Sequence, residues 1–243
     1  MCVDLSGRKA IVTGGSKGYG AGIAEVLKES GVEVWITGRD EAVLAATAKR
    51  VGVHPIRADV TSPADWDRVF KQVLSAANRL DILVNNAGAG IRIAPLAEQT
   101  DDEIAQGIAV NLTGVIYGCR RAAKVMSKQK SGSIINVSSV CARQAWPGFS
   151  VYSAAKAGLA LLSDCLYTEL RDSGVRVTTL IPSWGATQFA KAANLPERSA
   201  EEAAKCIQPR ELGTIVRDLC ALPAHLTVQD LTVWPMIQEA VPL

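Results

Sequence analysis

The chain has 243 residues, 48% hydrophobic and 21% charged, which suffices for a large buried core and excludes a disordered or fibrous composition. Its 26 basic and 24 acidic residues leave a net charge of +2, which gives neither nucleic acid nor a membrane surface much to attract. Six scattered cysteines without a C-x-x-C pair, and two histidines (His54 and His225) with no neighbouring ligand, argue against a metal site and for buried free thiols in a cytoplasmic protein.

The first strand-like run, 9–13, starts too early to leave room for a cleavable signal peptide. No stretch of about 18 uncharged apolar residues follows to span a membrane. Further strands are expected at 32–37, 53–58, 81–85, 133–138, 176–181 and 229–233, and helices at 18–30, 40–51, 62–78, 101–129, 150–173 and 210–221. Several strands are apolar on both faces, as in Ile82-Leu83-Val84 and Ile134-Ile135. That pattern belongs to a parallel sheet covered by helices on each side. The alternation therefore predicts an α/β, Rossmann-like doubly wound fold with seven parallel strands. No composition break divides it, so residues 1–243 read as one domain. The segment 183–209, with Pro196 and Pro209, follows a strand's carboxyl end, where an insertion usually covers a ligand crevice.

Directly after the first strand comes Thr13-Gly14-Gly15-Ser16-Lys17-Gly18-Tyr19-Gly20, then an apolar helix. Glycines at 14, 18 and 20 let the backbone turn tightly and approach a pyrophosphate at the helix amino end. Such a loop alone is weak evidence, since many turns need glycine for geometry only. At the end of the second strand an acid would hold the ribose 2′-hydroxyl of NAD, and a base the 2′-phosphate of NADP. Gly38 stands where the acid is sought, Arg39 follows, and Lys17 adds a second cation nearby, so NADP(H) is preferred over NAD(H). Asp40 reads either as a displaced ribose acid or as the cap of the next helix.

Tyr152 and Lys156 are four residues apart in the helix that begins near Ser150, which puts phenol and ammonium on one face. A nearby ammonium favours the phenolate and brings a tyrosine, ordinarily near pKa ~10, into range for proton transfer. Ser139 ends the fifth strand, Asn85-Asn86-Ala87-Gly88 ends the fourth, and Asn111 lies in the helix after it. Taken singly these read as caps and turns. Together they collect on one edge of the sheet.

From about Gly7 to Ile181 the sequence resembles the short-chain dehydrogenase/reductase family, with its motifs in order and spacing. The resemblance implies a catalytic tetrad at Asn111, Ser139, Tyr152 and Lys156. Ser139 would orient a substrate carbonyl, and Tyr152 would act as acid/base. Lys156 would hold the nicotinamide ribose and tune Tyr152, and Asn111 would prop a proton-relaying water. Cofactor contacts would fall on Gly14, Ser16, Lys17, Gly18, Tyr19, Gly20, Arg39, Asp59, Val60, Asn86, Ala87, Gly88, Pro182 and Thr187, besides Tyr152 and Lys156. The implied activity is hydride transfer between NADP(H) and a small-molecule carbonyl or alcohol, in a homodimer or homotetramer built through helices 101–129 and 150–173. A regulator or scaffold that kept the fold without turnover is the alternative; a sugar-nucleotide epimerase suits this short chain less well.

The sequence departs from the family pattern at Pro182-Ser183-Trp184-Gly185, where Pro-Gly is usual, and in the tail after Val233. By position, residues 89–95, 140–151 and 183–209 line the substrate pocket. Trp146, Phe149, Trp184 and Phe189 there suggest an apolar or aromatic substrate, unless they serve core packing. Arg92 and Arg143 are candidates for an anionic group, with surface placement the commoner outcome.

Overall fold

A computed structural model describes residues 3–88, 92–196 and 198–239. Seven parallel strands form one sheet in the order β3-β2-β1-β4-β5-β6-β7. They are β1 (Lys9–Thr13), β2 (Glu33–Gly38), β3 (His54–Arg57), β4 (Ile82–Asn85), β5 (Gly132–Val137), β6 (Val175–Pro182) and β7 (Asp230–Val233). The predicted Rossmann-like sheet is thus present, with no strand boundary shifted by more than one residue.

Helices cover both faces because the inner strands carry buried apolar side chains on both. On one face Val12, Ile36, Val84 and Val137 pack under α1 (Gly18–Glu29), α2 (Glu41–Val51) and α9 (Pro209–Cys220). On the other, Ile11, Trp35, Leu83 and Ile134 pack under α3 (Pro63–Ala77), α5 (Gly114–Gln129) and α6 (Ser150–Leu170). Each fully buried Ile or Leu is worth about 1.5–3 kcal/mol, so the two-sided pattern fixes which edge of the sheet is left for ligands. Among the described residues no helix is long and apolar enough to cross a membrane.

The order reverses beside β1, whose neighbours are β2 and β4, and in such open sheets ligands bind outside the carboxyl ends at that switch point. Asp40 caps α2, its side chain accepting a hydrogen bond from the Val43 amide at 3.1 Å, as the cap reading expects. The expected helix 101–129 is in fact α4 (Asp101–Ile108), a π-helical turn (Ala109–Thr113) and α5. The helix expected to reach 173 ends at Leu170 in a short 3₁₀ turn. The segment 183–209 holds two short helices, α7 (Phe189–Ala192) and α8 (Ala200–Lys205). Of the described cysteines, 119, 141, 206 and 220 are buried free thiols as expected, whereas Cys165 is an exposed one.

Helices α1 and α9 cross at Gly22 and Gly213, where their backbones nearly touch. A Cβ at Gly22 would lie 2.3 Å from the carbonyl carbon and oxygen of Pro209. Gly22→Ala gains up to about 1 kcal/mol of helix propensity, but the clash is with backbone, which cannot swing aside. We expect a net loss of about 1–2 kcal/mol by over-packing, seen as a lower urea midpoint at unchanged m-value. A midpoint equal to or above the native one would refute this crossing.

Candidate active site

The glycine loop is built for close approach. Gly14 and Gly18 have φ of 64° and 55°, and a Cβ at Gly20 would lie 2.3 Å from the Gly14 carbonyl oxygen. Helix α1 starts at Gly18 with no side-chain cap on its first amides and no acid in its first turn. Its amino end therefore offers N–H groups and a favourable dipole to an anion. Thr187 sits over this cradle, its Cβ 3.5 Å from where a Cβ of Gly18 would be. These features fit a dinucleotide's pyrophosphate.

At the outer end, a Cβ at Gly38 would lie 2.1 Å from the Ser16 hydroxyl oxygen, so the Ser16 side chain occupies the space beside Gly38. Lys17 and Arg39 are exposed, and neither enters an ion pair among the described residues. Asp59 spends one carboxylate oxygen on the amide and hydroxyl of Thr61, at 2.9 and 2.8 Å. The Val60 carbonyl accepts from the Trp66 indole at 2.9 Å, so this stretch is rigidly seated.

Asn86 and Ala87 are braced rather than free. The Asn86 side-chain amide donates to the Thr13 carbonyl at 2.9 Å, and the Asn86 and Ala87 amides donate to the Thr13 hydroxyl at 3.0 and 2.9 Å. Thr13 thereby clamps β4's end to β1's, a role hidden in a residue that reads simply as β-branched strand. A second unread feature is a buried relay in which Asn85 donates to Asn136, and Asn136 to Ser163, at 2.8 and 2.9 Å. It satisfies polar groups inside the core between β4, β5 and α6.

The tetrad candidates converge just beyond. Helix α6 buries a stripe of Val151, Tyr152, Ala155, Lys156, Leu159 and Ser163, so the helical period that packs the helix also turns Tyr152 and Lys156 inward. The Ser138 hydroxyl donates to the Lys156 carbonyl at 3.1 Å, and the Lys156 ammonium to the Val137 carbonyl at 2.9 Å. Both bonds pin α6 to the end of β5. Ser139 turns outward after that strand, and its hydroxyl oxygen accepts from the Cys141 amide at 3.2 Å. It approaches the Tyr152 phenol closely enough to ease that group's ionisation. Asn111 is fully buried in the π-helical turn, its amide donating to the Gly107 carbonyl at 3.0 Å. A Cβ at Gly88 would lie 3.1 Å from Asn111 Oδ1 and 3.7 Å from Lys156 Nζ, so these three positions meet at one point.

The electrostatics differ from the simple expectation. Burial, and secondarily the Cys141 thiol, push the Tyr152 phenol well above its ordinary value, with the Ser139 hydroxyl pulling the other way. The Lys156 ammonium is 5.7 Å from the phenol ring centre and turned to the Val137 carbonyl. Burial lowers its pKa from 10.5 to about 8. Desolvation thus outweighs the phenol–ammonium attraction and favours the neutral form of both groups.

Around Tyr152 lies an apolar wall. The rings of Phe149 and Phe189 stand 6.4 and 5.4 Å from it, and Trp146 lies tilted 6.1 Å from Phe149. Ile93, Cys141 and Val151 complete the wall; of the lining positions expected, 89–91 fall outside the described residues. Arg92 pairs with Glu103 and Arg143 with Asp230, both at 2.8 Å, so neither is a free anion receptor. Trp184 is exposed, with the Arg198 guanidinium 4.2 Å over its ring.

A family model for short chain dehydrogenases matches residues 8–198. The chain belongs to the short-chain dehydrogenase/reductase family. It is 32% identical over 241 residues to an uncharacterized oxidoreductase of Staphylococcus saprophyticus, covering 96% of this chain and 100% of that one. Among solved structures it is similar to a serine dehydrogenase in a closed form complexed with NADP+, with TM-score 0.89 and 27% identity, covering 97% of this chain and 98% of that one. A metagenomic short-chain oxidoreductase in complex with NADP gives TM-score 0.83 and 30% identity, with 97% and 100% covered. As a short-chain dehydrogenase/reductase, this chain is an oxidoreductase of small molecules.

Proposed function

We propose that this protein is an NADP(H)-dependent reductase of carbonyl compounds, running in reverse as an alcohol dehydrogenase. The observation that carries the reading is the meeting of Ser139, Tyr152, Lys156 and Asn111 beside Gly88, next to the glycine cradle of α1. The nicotinamide dinucleotide, when bound, supplies or accepts the hydride. Gly14, Gly18, Gly20 and Thr187 hold its pyrophosphate; Asp59, Val60 and Asn86 to Gly88 face its adenosine side; Pro182, Tyr152 and Lys156 serve the nicotinamide end. Ser16, Lys17 and Arg39 receive the 2′-phosphate. Support for that last assignment comes from the absence of an acidic side chain at Gly38, from the exposed cations Lys17 and Arg39, and from the NADP-bound state of two similar structures.

The protein's own chemistry is positioning and proton transfer. Ser139 donates a hydrogen bond to the substrate oxygen. Tyr152, kept protonated by burial, gives that oxygen its proton, which suits the reductive direction at neutral pH. Lys156, whose proton is loosened to about pH 8, exchanges it near neutrality and, with Asn111, refills the phenol. The wall of Trp146, Phe149 and Phe189 favours a substrate with an apolar or aromatic arm. A second copy of the chain docks through α5 and α6, where Ile116 and Leu161 are exposed.

Arg39→Asp tests the phosphate assignment. The ratio of kcat/KM for NADPH over NADH should fall by about 10- to 100-fold, the worth of one charge-assisted hydrogen bond. An unchanged ratio would remove Arg39 from the site.

A further inference from the structure

The turn 183–187 carries Thr187 over the glycine cradle and leads into the segment that brings Phe189 against Tyr152. Its first residues are held by a part of the chain that lies outside every motif named above. After β7 the tail turns, with the Gln238 amide donating to the Pro235 carbonyl at 3.0 Å, and its side chain reaches back to β6. Gln238 Oε1 accepts two hydrogen bonds there, from the Ser183 hydroxyl at 2.5 Å and from the Trp184 amide at 3.1 Å. The side-chain orientation is dictated, because a backbone N–H must meet an acceptor and only the oxygen of the amide is one. The Ser183 amide donates to the Val233 carbonyl at 2.9 Å, so both ends of the link are tied to the β7 side.

The next residues show why small displacements matter. Gly185 lies on the Tyr19 phenol so closely that a Cβ would be 2.0 Å from its oxygen. Trp184 and Ala186 bond both ways to Ile207, at 3.0 Å each, so the turn also carries the far end of the 183–209 segment. Ser183, where glycine is usual for the family, has its hydroxyl engaged by Gln238.

We propose that Gln238 is a positioning residue, an acceptor clip that sets the turn 183–187 for binding of cofactor and substrate. The inference rests on the reductase reading above for its substrate half only. Gln238→Leu removes the acceptor while keeping the bulk. NADPH Kd and substrate KM should each rise about tenfold, the worth of one net hydrogen bond of ~1.4 kcal/mol, with kcat within about twofold. Gln238→Glu should restore both constants at pH 8, because an ionised carboxylate accepts from the same two donors. Ser183→Ala should be milder than Gln238→Leu and add little to it in the double variant, as expected for two ends of one contact.

Amide hydrogen exchange across 183–188 reads the clip without turnover. It should quicken in Gln238→Leu and return to the native rate in Gln238→Glu. Unchanged NADPH Kd in Gln238→Leu, a Glu variant as impaired as the Leu variant, or exchange at the native rate in both would each overturn the proposal. A native protein that reduces no carbonyl but shows these changes in NADPH affinity and exchange would sink the reductase reading and leave the clip standing.

Discussion

Tyr152→Phe should lower kcat/KM for carbonyl reduction by about 10²- to 10⁴-fold, the usual contribution of a general acid, while NADPH affinity stays within about twofold. The asymmetry follows from the geometry. The phenol is 7% exposed and packed against Phe149 edge-on and Phe189 tilted, so loss of one oxygen leaves a ring that those neighbours still hold. The polar group near the hydroxyl is Ser139, whose own oxygen already engages the Cys141 amide. The fold should therefore be indifferent to the substitution and the chemistry highly sensitive. Parallel measurement of NADPH Kd by fluorescence and of initial rates checks both. A variant with near-native rates would remove Tyr152 from the proton path, and a variant without NADPH affinity would make its role structural.

Lys156→Met is expected to abolish turnover and yet to stabilise the free protein. Lys156 is 3% exposed, and its folded pKa is lowered from 10.5 to about 8, first of all by burial. The sign follows from proton counts. Below pH 8 both folded and unfolded chains bind the proton, and the folded state carries the full cost of the buried charge. Between pH 8 and 10.5 the unfolded chain binds the proton more than the folded one does, so stability rises with pH until the cost is gone. Methionine never carries that cost. From the shift alone its advantage is on the order of 3 kcal/mol at pH 7, reduced by roughly 1 kcal/mol for the orphaned Val137 carbonyl. Net, the melting temperature should rise by about 4–8 °C at pH 7, and the gap should narrow steadily above pH 8. Thermal scans from pH 6 to 10 check this. A variant that melts lower than the native protein at pH 7, or a gap that widens with pH, contradicts the burial argument. A destabilising residue kept at a site is the signature of function outweighing stability.

The fold was legible because the signal was redundant. Runs such as Ile82-Leu83-Val84 are apolar on both faces, and only a parallel sheet with helices on each side buries them. The cradle was legible because it is contiguous: Gly14 to Gly20 act through their own backbone, with no distant partner needed. Tyr152 and Lys156 share a face by helical period alone. What escaped has physical reasons of three kinds. The π-helical turn at Asn111 inserts one residue into a helix without proline, and the apolar period on either side survives it. The links that join distant segments leave no local trace. Gln238 and Ser183 are 55 positions apart, and Arg143 meets Asp230 across 87. The expected drop in the Tyr152 pKa failed for a third reason. Spacing puts Lys156 on the right face, but burial depth and the pull of the Val137 carbonyl decide its effect, and neither is written in a four-residue interval.

The central claim is most directly tested by following NADPH oxidation at 340 nm with purified native protein over a panel of ketones, aldehydes and β-ketoacyl thioesters, with NADH in parallel. The account predicts turnover of carbonyls bearing an apolar or aromatic arm, faster with NADPH than with NADH. Tight binding of NADPH with no turnover across the panel would contradict the reductase reading and favour a dinucleotide-binding regulator on the same fold.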